Sequence, residues 1–130
     1  MADSLDWQRW VSRAEMYFIR AEEDVERFPP SVCVDLQFAC ELYLKAVILF
    51  QGGIPERTHH LNELLNLIHP RLPDKARERL AGDLLVEVGF KQRYPGEFED
   101  ANTEEASAML EAARLIRAYA LGLLPIQETS

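Results

Sequence analysis

The sequence predicts an all-α protein: an up-and-down antiparallel bundle of four long helices with one short helix added. Apolar residues recur at steps of three and four in several long stretches, and Pro or Gly separates these stretches. No stretch alternates with a period of two for long enough to predict a strand. The 130 residues are the usual size of one domain and contain no visible repeat, so we expect a single domain over residues 1–130.

The first predicted helix carries one apolar stripe and ends at Pro29-Pro30, because proline lacks an N–H and disfavours helix in the residue before it. Ser4 is a candidate N-cap. The two tryptophans of this stripe add apolar surface that a small monomer does not easily hide, which favours a partner. The stripe consists of Trp7, Trp10, Val11, Ala14, Tyr17, Phe18, Ala21, Val25 and Phe28.

The second predicted helix extends from about residue 31 to residue 51, before Gly52-Gly53. It is apolar around most of its circumference, which is typical of a helix at the centre of a bundle. Only Gln37, Glu41 and Lys45 form a polar strip. The strip is either a solvated stripe, with Glu41 and Lys45 as a helix-supporting pair, or it faces a groove or a partner subunit.

The remaining pattern predicts two further helices, a loop and a last helix. Thr58 caps a short helix, and Pro73 suits the first turn of the next one. Residues 91–101 lack periodicity and contain the turn composition Tyr94-Pro95-Gly96. Asn102 and Glu105 then have the spacing of a capping box. The apolar positions are Leu61, Leu64, Leu65 and Ile68, then Leu80, Leu84, Leu85 and Val88, then Met109, Leu110, Ala113, Ile116 and Ala120.

The composition limits the class of function. The net charge of −8 and the pI near 4.9 count against nucleic-acid binding by bulk electrostatics. Residues 57–79 hold a local concentration of Arg and Lys, but interleaved acids favour a mixed solvated surface. Charges interrupt residues 7–28, so we expect neither a signal peptide nor a membrane span. Cys33 and Cys40 lie about 10 Å apart along one helix, which predicts free buried thiols in a reducing cytoplasm.

The residues that could carry chemistry form no complete catalytic constellation, so we lean towards a protein that is not an enzyme and expect no cofactor. His59 and His60 are adjacent and point about 100° apart on a helix, and His59 with Glu63 lacks further ligands, so no metal site is predicted. Arg93 and Tyr94, followed by Pro95, are the strongest candidates. They either present a guanidinium and a phenol to a phosphate ligand or have a structural role only. In the second case the tyrosine packs against the bundle and the arginine pairs with a carboxylate.

Three segments resemble the HEPN domain family. Residues 37–46, Gln-Phe-Ala-Cys-Glu-Leu-Tyr-Leu-Lys-Ala, are similar to the central helix of that family, and residues 55–65 are similar to its P-x-x-T-H-D-L-x-x-L-L pattern. Residues 93–95 match its R-Y-P element. The resemblance covers about residues 5–122 in the family's order, and it includes the W-x-x-x-A pattern of the first helix at Trp10, Ala14 and Ala21.

The chain departs from the family pattern at three positions, where Tyr17, Phe38 and His60 replace the family's Asp, Gln and Asp. Ribonuclease members of the wider family carry an R-x(4–6)-H motif. No histidine in this chain has an arginine at that spacing before it, and no histidine follows Arg93. The nuclease activity of those members is therefore not carried over to this chain.

The resemblance implies a role rather than a reaction. HEPN domains of this compact kind are homodimers that act beside a small nucleotidyltransferase in toxin-antitoxin-like two-component modules, and a nucleotide-binding role is implied for them. The candidate ligand-binding residues are Arg93 as the phosphate contact, with Tyr94, Lys45, Glu41, His59 and His60. The alternative is a ribonuclease that pairs Arg93 with His59 or His60, with histidine as the general base. Binding of RNA is left open by the sequence.

Overall fold

The computed structural model describes residues 6–55, 60–80 and 84–125. Within these residues the chain is helical without a β-strand, which confirms the predicted all-α bundle. The fourth predicted helix differs in detail, because its described parts are a short α-helix, a π-helical stretch and a final α-helical turn. The helices are α1 (Asp6–Asp24), α2 (Pro29–Phe50), α3 (Leu61–Asn66), α4 (Asp74–Leu80), the π-helical stretch (Leu84–Val88), α5 (Gly89–Lys91) and α6 (Thr103–Gly122).

Helices α1 and α2 are antiparallel neighbours. The ring of Trp7 near the start of α1 packs edge-on against Phe50 at the end of α2, with 5.4 Å between their centroids. At the opposite end, Arg20 of α1 forms an ion pair of 3.3 Å with Asp35 of α2. Trp7 is therefore part of the core and only 7% exposed, so the prediction that both tryptophans offer exposed surface to a partner was wrong for Trp7.

Helix α6 packs against α2, is joined to α1 by ion pairs between their side chains, and is antiparallel to α1. Arg114 of α6 pairs with Glu22 of α1. Arg117, about one turn later on α6, pairs with Glu15, which lies about two turns before Glu22 on α1. The contacts of α1 with α2 and with α6 therefore show that both of these helices are antiparallel to α1, as an up-and-down bundle requires.

Helix α2 lies at the centre, in contact with α1, α3, α5, α6 and the π-helical stretch. Its nearly all-round apolar sequence predicts this position, since each side meets a different neighbour. The two cysteines on α2, Cys33 and Cys40, are both free and fully buried. Gln37 and Glu41 are also buried, at 3% exposure each, so the interpretation of the polar strip as solvated was wrong.

The local signals of the loop before α6 are confirmed. The Asn102 side chain accepts a hydrogen bond of 2.8 Å from the Glu105 N–H, and the Glu105 carboxylate accepts one of 3.2 Å from the Asn102 N–H. In the turn at residues 94–97, the Glu97 N–H donates to the Tyr94 carbonyl, and Gly96 has a φ of 89°. Such a φ suits glycine at the third position of a turn that has proline at the second.

The other predicted helix starts have different outcomes. Pro73 lies immediately before α4 rather than in its first turn, and its carbonyl accepts the N–H of Arg77 at 3.0 Å. The predicted caps Ser4 and Thr58 lie outside the described residues. No helix in the described part of the chain is sufficiently long and apolar to cross a membrane.

Candidate ligand site at Arg93

Arg93 follows α5 and extends back over the central helix. Its Cζ lies 4.6 Å from the centre of the Phe38 ring, within the range of a cation–π contact. Its Nη2 lies 3.7 Å from Oε1 of Glu41, which forms an ion pair that is too long for a hydrogen bond. The Glu41 side chain is only 4% exposed and the Arg93 side chain 24%. The structure therefore brings together two of the residues that were predicted to share a site.

The guanidinium of Arg93 has unused hydrogen-bonding capacity. Its Nε and Nη2 are buried and have no hydrogen-bond partner among the described residues. A buried donor that lacks a partner costs about 1–3 kcal/mol, so such groups are rare in folded proteins. An anionic oxygen within hydrogen-bonding distance would satisfy them, and a guanidinium suits the oxygens of phosphate and carboxylate.

Gly89 sets how closely α5 approaches the central helix. A Cβ at this position would lie 2.8 Å from Cβ of Gln37 and 3.1 Å from its Cδ, which is closer than packed carbon atoms tolerate. Only glycine permits this approach. Gln92 then holds the following loop, because its amide donates to the Glu99 carbonyl at 3.0 Å and accepts from the Ala101 N–H at 2.9 Å. Arg93 directly follows these two anchors, Gly89 and Gln92, in the chain.

The other predicted site residues are less closely gathered. Lys45 is half-buried on α2, one turn after Glu41. The Glu41 carboxylate forms its ion pair with Arg93. Tyr94 is 42% exposed, with its ring centroid 5.3 Å from that of Phe90. His60 is the exposed residue before α3 and makes no side-chain cap hydrogen bond. His59 lies outside the described residues, so the Arg93–histidine pair of the ribonuclease alternative stays a prediction.

Sequence reasoning missed the aromatic stack, which consists of Arg20, Tyr17, Phe38 and Arg93. The Tyr17 and Phe38 rings stack across α1 and α2 with 5.9 Å between their centroids. The Arg20 guanidinium lies 5.7 Å from the Tyr17 centroid, and Arg93 covers the opposite end at Phe38. The available signal was the pair of departures from the family pattern, since Tyr17 and Phe38 are both aromatic where that pattern is polar.

A second group that sequence reasoning missed joins three helices: Glu15 of α1, Tyr43 of α2 and Arg117 of α6, here called the Glu15 network. The Arg117 Nε and Nη2 donate to the two Glu15 oxygens at 2.6 and 3.0 Å, and the Tyr43 hydroxyl also donates to Glu15. The Arg117 guanidinium lies 5.3 Å from the centre of the Phe18 ring. Both oxygens of Glu15 therefore accept hydrogen bonds from specific donors on other helices, which is typical of structural stabilisation.

The protonation equilibria follow from these contacts. Burial raises the pKa of Glu15, but the hydrogen bonds from Arg117 and Tyr43 outweigh this effect, and the net pKa is lowered. Burial, with the hydrogen bond to Glu15, raises the pKa of Tyr43, and the hydrogen bond to Glu15 raises that of Arg117. Burial also raises the pKa of Cys33 to about 12, so this thiol stays protonated and unreactive at neutral pH.

Neither group resembles a metal centre. The described residues contain no cluster of three His, Cys, Asp or Glu side chains that could hold a metal ion. The chemistry that the Arg93 site offers is recognition of an anion by a cation and aromatic surface.

The fold and the site define a small helical domain with a polar site buried against its central helix. The family model described as "HEPN domain" matches residues 7–123, and the chain belongs to the HEPN domain family. The fold is similar to the crystal structure of TT1696 from Thermus thermophilus, with a TM-score of 0.76 and 21% identity, over 91% of this chain and 98% of that one. A comparison with curated protein sequences finds no match.

Proposed function

We propose that this chain is a non-catalytic HEPN interaction module of the cytoplasm, which forms a homodimer and binds a nucleotide, a partner nucleotidyltransferase, or both. In this proposal it is the helical member of a toxin-antitoxin-like two-component module. The observation that carries the proposal is the Arg93 guanidinium, which is held against Phe38 and Glu41 with two buried nitrogens that lack hydrogen bonds to the described residues.

A nucleotide matches this chemistry better than a simple anion does. Its phosphate oxygens accept hydrogen bonds from a guanidinium, and its base offers a flat face to an exposed ring such as that of Tyr94. Because Nε and Nη2 are buried, the exposed part of the Arg93 side chain consists of Nη1 and carbon atoms. A phosphate would reach Nη1 first and the other nitrogens after a small side-chain movement.

Apolar surface beside the site supports a protein partner. Phe90, Tyr94 and Phe98 lie on one segment and are 49%, 42% and 42% exposed. Exposed aromatic residues that lie close together are typical of contact surfaces between proteins. The same surface could serve a second copy of the chain or a nucleotidyltransferase, and the buried thiols of Cys33 and Cys40 suit a reducing cytoplasm.

Isothermal titration with ATP tests the ligand part of the proposal. We expect the wild-type chain to bind, and Arg93→Lys to weaken binding by about tenfold or more, because lysine keeps the charge but loses the planar fork. Arg114→Lys is the matched control, since Arg114 lies on α6 and pairs with Glu22. Equal affinity in the wild type and Arg93→Lys would show that Arg93 is not the phosphate contact.

Light scattering and co-expression test the partner part. A homodimer has twice the 14.9 kDa mass of one chain, and Phe90→Ser with Phe98→Ser should reduce dimer or partner formation if these rings form the contact. Co-expression with a tagged small nucleotidyltransferase from the same genome should then yield a stable complex. RNA cleavage that disappears in both Arg93→Lys and His60→Gln would replace this proposal with the ribonuclease alternative.

A further inference from the structure

Three helix termini meet at one end of the bundle. Arg20 near the end of α1 pairs with Asp35 near the start of α2 at 3.3 Å, so these two termini are neighbours. Burial, and with it the charge of Glu105 in the first turn of α6, raises the pKa of Cys33 on α2 to about 12. Helix α6 therefore begins at this end as well.

This end, here called the acidic end, consists of residues 20–35 and 97–105. The two segments contain ten of the 22 Asp and Glu residues of the chain and two of its 14 Lys and Arg residues. Their net charge is therefore −8, which equals that of the whole chain, and the remaining residues hold equal numbers of both signs. The net charge of the protein is thus concentrated at one end of the bundle.

Most carboxylates of the acidic end have no counter-charge. Its two arginines are already used, since Arg20 pairs with Asp35 and Arg27 pairs with Asp24. Like charges that lie close together repel each other and disfavour the compact state, so a cationic partner would relieve this repulsion. The exposed carboxylates that form no ion pair with a described residue are Glu23, Glu26, Glu97, Glu99, Asp100 and Glu104.

Exposed aromatic rings accompany these carboxylates. Phe28 lies between α1 and α2 and is 51% exposed, and Phe98 lies in the loop before α6 and is 42% exposed. Each ring already has one cation near it: the Arg27 Cζ lies 5.0 Å from the Phe28 centroid and the Lys91 Nζ lies 5.8 Å from the Phe98 centroid. The acidic end therefore combines apolar surface with negative charge.

The loop that carries Phe98 is held in place. The Gln92 side chain hydrogen-bonds to the Glu99 carbonyl and the Ala101 N–H, and Pro95 and Phe98 pair in an isolated β-bridge. Because these contacts use the backbone of Glu99, its carboxylate remains available. A surface that is already in its binding conformation loses little conformational entropy when a partner binds.

We infer that the acidic end docks a basic amphipathic segment of a partner protein. The carboxylates attract its Lys and Arg side chains, and the rings of Phe28 and Phe98 contact its apolar side chains. A single metal ion does not suit this surface, because no three acids of these fully described segments are placed to hold one. Carboxylates that are spread out in this way suit an extended cationic chain.

A second copy of the chain suits the acidic end less well than a basic partner does. In a two-fold contact the same surface meets itself, so the carboxylates would face each other and repel. The remainder of the chain is neutral, so it offers no net opposite charge to this end. The inference rests on the proposed function in one respect, since it names the chemistry of the proposed protein partner, and it assigns Phe98 to that partner rather than to a second copy.

Fluorescence anisotropy with a labelled peptide tests the inference. The probe is a fluorescein-labelled amphipathic peptide of about 18 residues, built from Lys, Leu and Ala, which is long enough to form a helix. We expect it to bind the wild-type chain and to bind about tenfold or more weakly when salt rises from about 0.01 to 0.15 M. A matched peptide with Glu in place of Lys should not bind.

Glu97→Gln with Glu99→Gln tests the charges. We expect peptide affinity at low salt to fall by about fivefold or more, because two of the carboxylates beside Phe98 are neutralised. Glu63→Gln with Glu78→Gln removes the same charge from α3 and α4 and should leave affinity within about twofold of the wild type. Thermal melts of both double variants establish that the bundle is intact.

Phe98→Ser separates the rings from the charges. It should weaken binding of the Lys-Leu-Ala peptide by several fold, because apolar contact is lost. Binding of a peptide with the same number of lysines but Ser in place of Leu should be weaker in the wild type and unchanged by Phe98→Ser.

Four results would overturn the inference: no binding of the basic peptide, equal binding of its Glu counterpart, equal losses from the two double variants, or equal binding of the Leu and Ser peptides. Self-association in light scattering that Glu97→Gln with Glu99→Gln abolishes would assign the acidic end to a second copy instead.

Co-expression with the nucleotidyltransferase separates this test from the proposed function. A complex that Glu97→Gln with Glu99→Gln leaves unchanged would overturn the inference and leave the proposed function intact. Peptide binding without any such complex would support the inference and contradict the proposed choice of a nucleotidyltransferase as the partner.

Discussion

Two arginine–glutamate pairs in the same bundle differ in their hydrogen bonding and in their burial. In the Glu15 network, Arg117 and Glu15 make two hydrogen bonds of 2.6 and 3.0 Å, Tyr43 adds a third, and both charged side chains remain about one third exposed. In the second pair, Arg93 and Glu41 approach only to 3.7 Å, although Glu41 is almost fully buried. The better-buried pair therefore has the poorer geometry.

This difference indicates different purposes. A charge pair that stabilises a fold requires close, complete hydrogen bonding, because desolvation otherwise exceeds the Coulombic gain. The Glu15 network satisfies that requirement across three helices, whereas the Arg93–Glu41 pair does not. A protein retains a poorly satisfied buried charge where function requires it, at some cost in stability. The comparison therefore supports the assignment of ligand binding to Arg93 and of structural stabilisation to Glu15.

The largest expected effect is that of Arg93→Met. Removal of this cation leaves the buried Glu41 carboxylate without the Arg93 counter-charge, and we expect a loss of about 3 kcal/mol in the free energy of unfolding, measured by urea denaturation. The double variant Glu41→Leu with Arg93→Met should recover wild-type stability or exceed it, because an apolar pair of similar volume avoids the desolvation cost. If the double variant is as unstable as the single one, the pair is a stabilising contact and the comparison fails.

Gly89→Ala should have the next largest effect. Its new Cβ would meet Cβ of Gln37 at 2.8 Å, and neither atom is at the end of a flexible side chain. We expect a loss of about 1–3 kcal/mol from overpacking, together with weaker ATP binding, since α5 positions Arg93. Gly122→Ala is the matched control, because a Cβ there has no neighbour within 4 Å. Unchanged ATP affinity in a destabilised Gly89→Ala would separate the position of α5 from the ligand site.

Arg117→Met addresses the other pair and should have a smaller effect than Arg93→Met. Glu15 keeps its hydrogen bond from Tyr43 and partial contact with solvent, so we expect a loss of about 1 kcal/mol. ATP affinity should not change, because Arg117 lies on α6 and outside the Arg93 site. A loss larger than that of Arg93→Met would reverse the ranking of the two pairs.

Local features of the fold could be predicted from sequence, whereas the contacts between helices could not. The capping box of Asn102 and Glu105 and the turn at Gly96 each depend on a few neighbouring residues, and the structure confirms both. Glu15 and Arg117 lie 102 residues apart, and no spacing rule links them. Arg93 and Glu41 were both named as candidates, but the resemblance to HEPN domains did not state how they would meet.

The smallest expected effect is a change in pH dependence at Glu15. Its folded pKa lies below the usual 4.5, so the network stabilises the fold above about pH 4.5 and loses this contribution as pH falls through the lower folded value. Glu15→Gln cannot titrate, and its stability should fall less than that of the wild type between neutral and strongly acidic pH. We expect a difference below about 1 kcal/mol, because the group is partly exposed and screened. Urea midpoints measured at several pH values in both proteins test this prediction. A parallel decline would mean that the hydrogen bonds of Arg117 and Tyr43 do not favour the ionised carboxylate. The Glu15 network would then be no better satisfied than the Arg93 pair.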